Sequence, residues 1–322
     1  MSRLHLTLVI VLVALLAVDL MTLPSATTRA TGGPLFSEFE PERANRIKVG
    51  APGASPLVVQ RGDDGWLLPD RFLFPADDWL MDELLAALTR VSRADLVAEN
   101  PTDPGDFGLA EGQGVEVEIT DDAGLVVAAY RQGEQLARAG GIDGVYLSPA
   151  GSNAVYRAPL VPRLTGDERS WLETRVAEFD PGRVRALALE VAGERSETFE
   201  RGANGSWTRV AGEAPEVPLD RLVNAVGGLF HSGVAALKAS DEHGLSAPRL
   251  CVELVLAPNL EDDVDSAPTT VRLEIGSSVD GNTYVTWTGW SRPWVVEVRD
   301  GLMQGLLEPL LEVFGVAELV ER

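Results

Sequence analysis

EFEPERANRIKV (residues 38–49) and EFDPGRVRALAL (residues 178–189) decide how this chain is read. Each is a turn of acidic residues, phenylalanine and proline that feeds an alternating apolar run, the period-two pattern of a half-buried strand. The correspondence continues downstream of both. QRGDDGW (60–66) answers to ERGANGSW (200–207), where a strand enters a glycine-containing turn and leaves on tryptophan, a hairpin signature. A helix-period segment follows in each copy. In residues 77–90 the apolar positions are Trp79, Leu80, Leu84, Leu85 and Leu88. In residues 219–230 they are Leu219, Leu222, Val223, Val226, Leu229 and Phe230. Asp77 and Pro218 stand near the starts, where a cap or a first-turn proline belongs.

The pairing extends to FGL (107–109) with HGL (243–245), and to the strands 115–119 and 250–256 that follow them. GIDGVY (141–146) pairs with SVDGNTY (278–284), both Asp-Gly hairpin turns leading to an aromatic strand. Strands at 153–158 and 294–298 come next, and short helices at 160–164 and 302–314 close the copies. A repeat of roughly 140 residues is domain-sized rather than a solenoid unit. The expected fold is therefore α+β: two tandem copies of a mostly antiparallel sheet with an amphipathic helix, residues 36–177 and 178–322.

Upstream of the repeats, residues 4–23 form an almost unbroken apolar run, long enough to span a bilayer as one helix. Arg3 precedes it, so the positive-inside rule places the N-terminus in the cytoplasm and the repeats outside. Asp19 falls near the end of that span, where a charge costs less than at its centre. We read residues 1–23 as a transmembrane anchor and 24–35, rich in Ser, Thr, Gly and Pro, as a flexible linker. Secretion after signal cleavage is the alternative, with the small residues around Ala30 as the cut.

The net charge of −22 repels phosphate backbones and argues against nucleic-acid binding. Cys251 is the only cysteine, which excludes an internal disulfide, and its apolar surroundings point to a buried strand thiol. The histidines are His5, His231 and His243, without metal-ligand spacing, so neither metal nor cofactor is expected. The acidic run 261–265 has Pro268 where a calcium loop needs its turn glycine. With no nucleophile elbow and no phosphate loop, no catalytic residue is singled out and a non-enzyme is expected.

One stretch stands apart, YVTWTGWSRPW (284–294), which gathers Trp287, Trp290, Arg292 and Trp294. Aromatics beside arginine are common in interface hot spots, and these four are the candidate binding residues. The competing reading is a hairpin whose tryptophans pack inward.

Phe-Glu-Pro41 before a strand, Gly65-Trp66, the helix at 77–90, FGL at 107–109 and the joining segment 171–189 resemble the bacterial domain-of-unknown-function family 4340. Its members are often encoded beside gliding-motility-type ABC transporter components. The resemblance implies an accessory role beside a transporter or cell-envelope machine, and it carries over no catalytic or ligand residues. The expected protein is thus a single-pass component of the cytoplasmic membrane, anchored through residues 4–23, with a protein partner in the membrane or envelope. A small-molecule or glycan binding module using the inter-repeat cleft or the Trp-rich turn is the alternative. The topology is testable: protease added to intact spheroplasts should remove a tag placed after Arg322 while a cytoplasmic control survives. Protection of both would reject this orientation.

Overall fold

The computed structural model describes residues 32–63, 65–136, 144–191, 195–211, 219–258 and 267–314. The expected membrane span, most of the linker, the acidic run 261–265 and most of the first Asp-Gly turn lie outside these residues. Among the described residues no helix is long and apolar enough to cross a membrane.

The first repeat contributes β1 (Arg46–Gly50), β2 (Leu57–Gly62), β3 (Gly65–Leu68), β4 (Phe74–Pro75), α1 (Asp78–Leu88), β5 (Leu96–Ala98), β6 (Val115–Thr120), β7 (Val126–Gln135), β8 (Gly144–Pro149) and β9 (Val155–Pro159). The second contributes β10 (Val184–Val191), β11 (Arg195–Arg201), β12 (Trp207–Arg209), α2 (Leu219–Gly227), β13 (Gly233–Ala236), β14 (Leu250–Leu256), β15 (Thr269–Val279), β16 (Asn282–Trp287), β17 (Val295–Arg299) and α3 (Asp300–Phe314). The strands make two sheets, in the orders β4-β3-β2-β1-β6-β7-β8-β9-β5 and β12-β11-β10-β14-β15-β16-β17-β13. Matched by chain order, the second reproduces the first strand for strand and lacks only a counterpart of β4. The fold is α+β, with antiparallel sheets and an internal repeat.

The repeat holds at the level of single interactions. Arg61 lies over the Trp66 ring, 4.8 Å from its centroid, and Arg201 over Trp207, at 5.6 Å. The helix that follows sends its first-turn aspartate back to that tryptophan: Trp66 N donates to Asp78 Oδ1 (3.1 Å), and Trp207 Nε1 donates to Asp220 Oδ1 (3.1 Å). The turns before β1 and β10 use their arginines alike. Arg43 donates to Asp121, the residue after β6 (2.8 Å), and Arg183 donates to the carbonyl of Ala257, the residue after β14 (2.7 Å). Backbone N–H groups of Leu125 and Ala123, together with Arg43, hold the Asp121 carboxyl below the usual carboxylate range.

A matched β-bulge recurs too. Register slips between Gln132 and Gln135 in β7, and between Ile275 and Ser278 in β15. At each slip a glycine receives the preceding loop so closely that a Cβ would stand 2.0 Å from the Phe107 carbonyl oxygen at Gly133, and 2.1 Å from that of His243 at Gly276. The ring of the same loop residue then packs edge-on against β8 or β16, Phe107 on Tyr146 (5.1 Å) and His243 on Tyr284 (4.8 Å). Phenylalanine and histidine are exchangeable here because either planar ring fills that slot.

The chain divides into two compact units, Met1–Pro56 with Trp79–Gly166, and Leu57–Asp78 with Asp167–Arg322. Residues 57–78 thus belong by sequence to the first repeat and by packing to the second unit. In the first unit the buried side chains Ile47, Val49, Val117 and Ile119 of the sheet join Met81, Leu84, Leu85 and Leu88 of α1 in one core. In the second, Leu187, Leu189, Val252, Leu254 and Leu273 join Leu222, Val223 and Val226 of α2, and α3 packs on α2.

Three sequence expectations need correction. Trp79 is not on the buried face of α1 but 71 % exposed. At about 100° per residue it falls opposite the stripe formed by Met81, Leu84, Leu85 and Leu88. Phe230 follows the end of α2 and is 44 % exposed. Residues 160–164 are not helical. The side chain of Gln132, buried in β7, donates to Pro162 O (2.8 Å) and accepts from Leu164 N (2.7 Å), so a sheet residue satisfies a backbone that a helix would have satisfied itself.

Gly133→Ala and Gly276→Ala should each lower stability by about 1–3 kcal/mol, because the added methyl meets a carbonyl that cannot retreat without opening the bulge. Gly305→Ala, in the open on α3, should raise it by about 0.5–1 kcal/mol. Thermal melting of the three variants checks both signs, and equal effects would refute the close-approach account.

Candidate functional site

An open trough of about 1000 Å³ lies on the first unit, over the outer face of β1, β6, β7 and β8. Pleating puts alternate residues on that face. Register places Gly50, Glu116, Arg131 and Ser148 across one rung, and Lys48, Glu118 and Ala129 across another two residues away. Gly50 and Ala129 give the floor its depth, while the long charged side chains stand around them. Arg131 ties floor to wall, donating to Glu116 Oε1 (3.0 Å) and to the Leu109 carbonyl (3.3 Å). Ser148 Oγ donates to the Ser152 carbonyl (2.9 Å) and so holds the opposite wall, residues 149–153. Pro56, Pro101, Pro104 and Pro149 stiffen the rim. The volume falls in the range of ligand sites, but the lining is polar and open, unlike the mostly apolar pockets that bury small molecules.

The sequence-selected residues do something different. Trp287 and Trp294 are buried, Trp290 is half-buried and Arg292 is exposed. Within the second unit, Trp294 Nε1 donates to the Phe72 carbonyl (3.0 Å), and Phe74 packs edge-on against Trp294 (5.0 Å) and Trp290 (5.8 Å). Trp287 stacks on Phe179 (6.1 Å). Phe72 and Leu73 are consecutive non-glycine residues at φ 57°, a conformation that costs of order 1–2 kcal/mol per residue. The tryptophan grip on Phe72 and Phe74 holds that turn in place. The loop carrying Trp290 is an insertion. Between the ladder pairs Leu147–Tyr156 and Val285–Val296 the first copy has eight residues and the second ten, and Thr286 Oγ1 donates to the Trp294 carbonyl (2.8 Å) across the longer loop. The aromatic insertion of the second copy meets β4, the one strand it does not duplicate. Trp287 and Trp294 are core side chains, and only Trp290 and Arg292 offer surface.

The histidines make separate contacts, His243 with Ser240 Oγ (2.8 Å) and His231 with the Glu173 carbonyl (2.7 Å). Burial lowers the His231 pKa. Cys251 Sγ lies 2.9 Å from an Arg272 nitrogen, and burial raises the thiol's pKa. Among the described residues no group of three His, Cys, Asp or Glu could hold a metal ion. The sequence reading missed the trough, because its floor residues look like the solvent face of ordinary strands. Only the two small residues, Gly50 and Ala129, hinted at depth.

A family model for a domain of unknown function, DUF4340, matches residues 66–248. The chain belongs to the DUF4340 family. The match runs from Trp66 of the first hairpin through the joining segment and past the HGL of the second copy, taking in β6 to β8 of the trough floor. No curated protein and no solved structure matches the chain.

Trp294→Ala should cost roughly 3–5 kcal/mol, since it removes a fully buried ring and orphans a carbonyl in a strained turn. Trp290→Ala, half-buried, should cost clearly less. Melting curves that rank the two in the opposite order would overturn this account of the insertion.

Proposed function

We propose that this DUF4340 protein is a non-catalytic, membrane-anchored accessory component of an ABC-transporter or cell-envelope system, acting outside the cytoplasm. The trough on the first unit carries the reading. Arg131, on Glu116 and Leu109, and Ser148, on Ser152, build its walls, while Lys48, Glu111 and Glu118 line it. That arrangement presents a shaped, polar surface to a partner segment. The apolar run at residues 4–23 supports tethering near membrane partners, and the family resemblance supports a transporter as their class.

Recognition by such a face rests on complementary charge and shape more than on buried area. Glu111, Glu116 and Glu118 outnumber Lys48 and Arg131 in the lining, which favours a partner segment bearing basic residues. The glycan alternative has Trp290 as its one partly open ring in the Trp-rich turn, and that ring already packs on Phe74.

A photo-crosslinking amino acid at Asn153 or Thr102, introduced into the full chain in native membranes, should capture one envelope protein identifiable by mass spectrometry. Glu118→Arg should weaken that capture about tenfold without shifting the melting temperature, since exposed substitutions stay within about 0.5 kcal/mol in folding. Capture that is unchanged in Glu118→Arg, or equally strong from Glu253 on the second unit, would reject the trough as the docking site.

A further inference from the structure

A second, smaller cavity of about 220 Å³ lies in the second unit, lined by Arg169, Leu172, Thr174, His231, Ser232, Arg299 and Leu302. Its chemistry departs from the rest of the chain. The protein carries 49 acidic against 27 basic side chains, yet this lining holds two guanidinium groups and no carboxylate. Three neighbouring acids are engaged elsewhere. Glu168 pairs with Arg71, Asp300 accepts from Thr283 Oγ1 (2.7 Å), and Glu173 accepts from the backbone N–H of Arg175 (2.9 Å). Among the described residues neither the Arg169 nor the Arg299 side chain has an ion-pair partner. Together they concentrate positive charge in one cavity of an acidic protein.

We propose that this cavity binds a small oxyanion, the phosphate or carboxylate group of a ligand, held between Arg169 and Arg299. Guanidinium forks match the paired oxygens of either group. The cavity's other members suit an anion. Thr174 offers a hydroxyl donor, while Ser232 donates to the Glu297 carbonyl (3.1 Å) and fixes its own wall. Leu302 brings the first turn of α3 to the rim. His231 is held rigidly, its ring on the Glu173 carbonyl and its own N–H on Thr174 O (2.8 Å), so the cavity is shaped before a ligand arrives. Both arginines are exposed, which leaves the site open for exchange.

The test is calorimetric titration of the full chain, in a detergent with an uncharged headgroup, with inorganic phosphate, glycerol phosphate or acetate at ionic strength fixed by sodium chloride. Saturable binding of at least one anion is expected, weakened about tenfold or more in Arg169→Gln and in Arg299→Gln, as loss of a charged hydrogen bond predicts. Preference for glycerol phosphate would mark a lipid-type headgroup, preference for inorganic phosphate a free ion, and preference for acetate a carboxylate. Melting curves without anion, unchanged in both variants, confirm that the fold is intact. Absence of saturable binding by all three anions at tens of millimolar, or binding unaltered in both variants, would overturn the proposal.

Discussion

A carbonyl oxygen resting on a glycine governs much of this architecture. Where the loop Pro104–Phe107 crosses β7 it approaches so closely that position 133 has no room for a side chain, and the equivalent loop does the same at position 276. The bulge beneath each crossing shifts the strand register by its extra residues and bends the sheet. In the first unit that crossing pins the wall of the trough to its floor, with Arg131 reaching the Leu109 carbonyl just beyond it. The concavity follows from a backbone contact that only glycine permits.

Duplication explains the rest of the frame, and departures from duplication mark what is particular to each copy. The arginine–tryptophan–aspartate set, the bulge, the ring on tyrosine and the hydroxyl tie after β8 or β16 occur twice. β4 and the Trp-bearing insertion occur once each, and they meet. A strained pair of residues, Phe72 and Leu73, is tolerated because Trp294 satisfies the carbonyl between them and Phe74 seals the contact. Strain of this kind persists only where its surroundings over-determine it. The tryptophans therefore serve stability first, and Trp290 and Arg292 alone keep a share of surface.

The two candidate ligand surfaces contrast in electrostatics. The trough mixes both signs with acids in excess and internal pairs, suited to a polar protein segment. The small cavity near His231 is cationic in an otherwise acidic chain, suited to a compact anion. Their placement on different units means that occupation of either can be measured without the other.

Repeat length, the central strands and both main helices were legible in the sequence because they rest on local signals: period-two and period-3.6 apolar patterns, glycine turns and paired motifs such as FGL and HGL; the short edge strands β4, β5 and β13 carry no such signal and were not. The family was legible for the same reason. What the tertiary structure decided was which faces are covered. Trp79 and Trp294 are the same residue type in equally apolar local contexts, yet one is exposed and the other buried, because burial depends on partners far away in the chain, here Phe72 and Phe74. The trough floor reads as ordinary solvent-facing strand until distant loops rise beside it. Arg169 and Arg299, 130 positions apart in the sequence, share one cavity only once the chain is folded. Local pattern carries the elements, and long-range packing alone selects the sites.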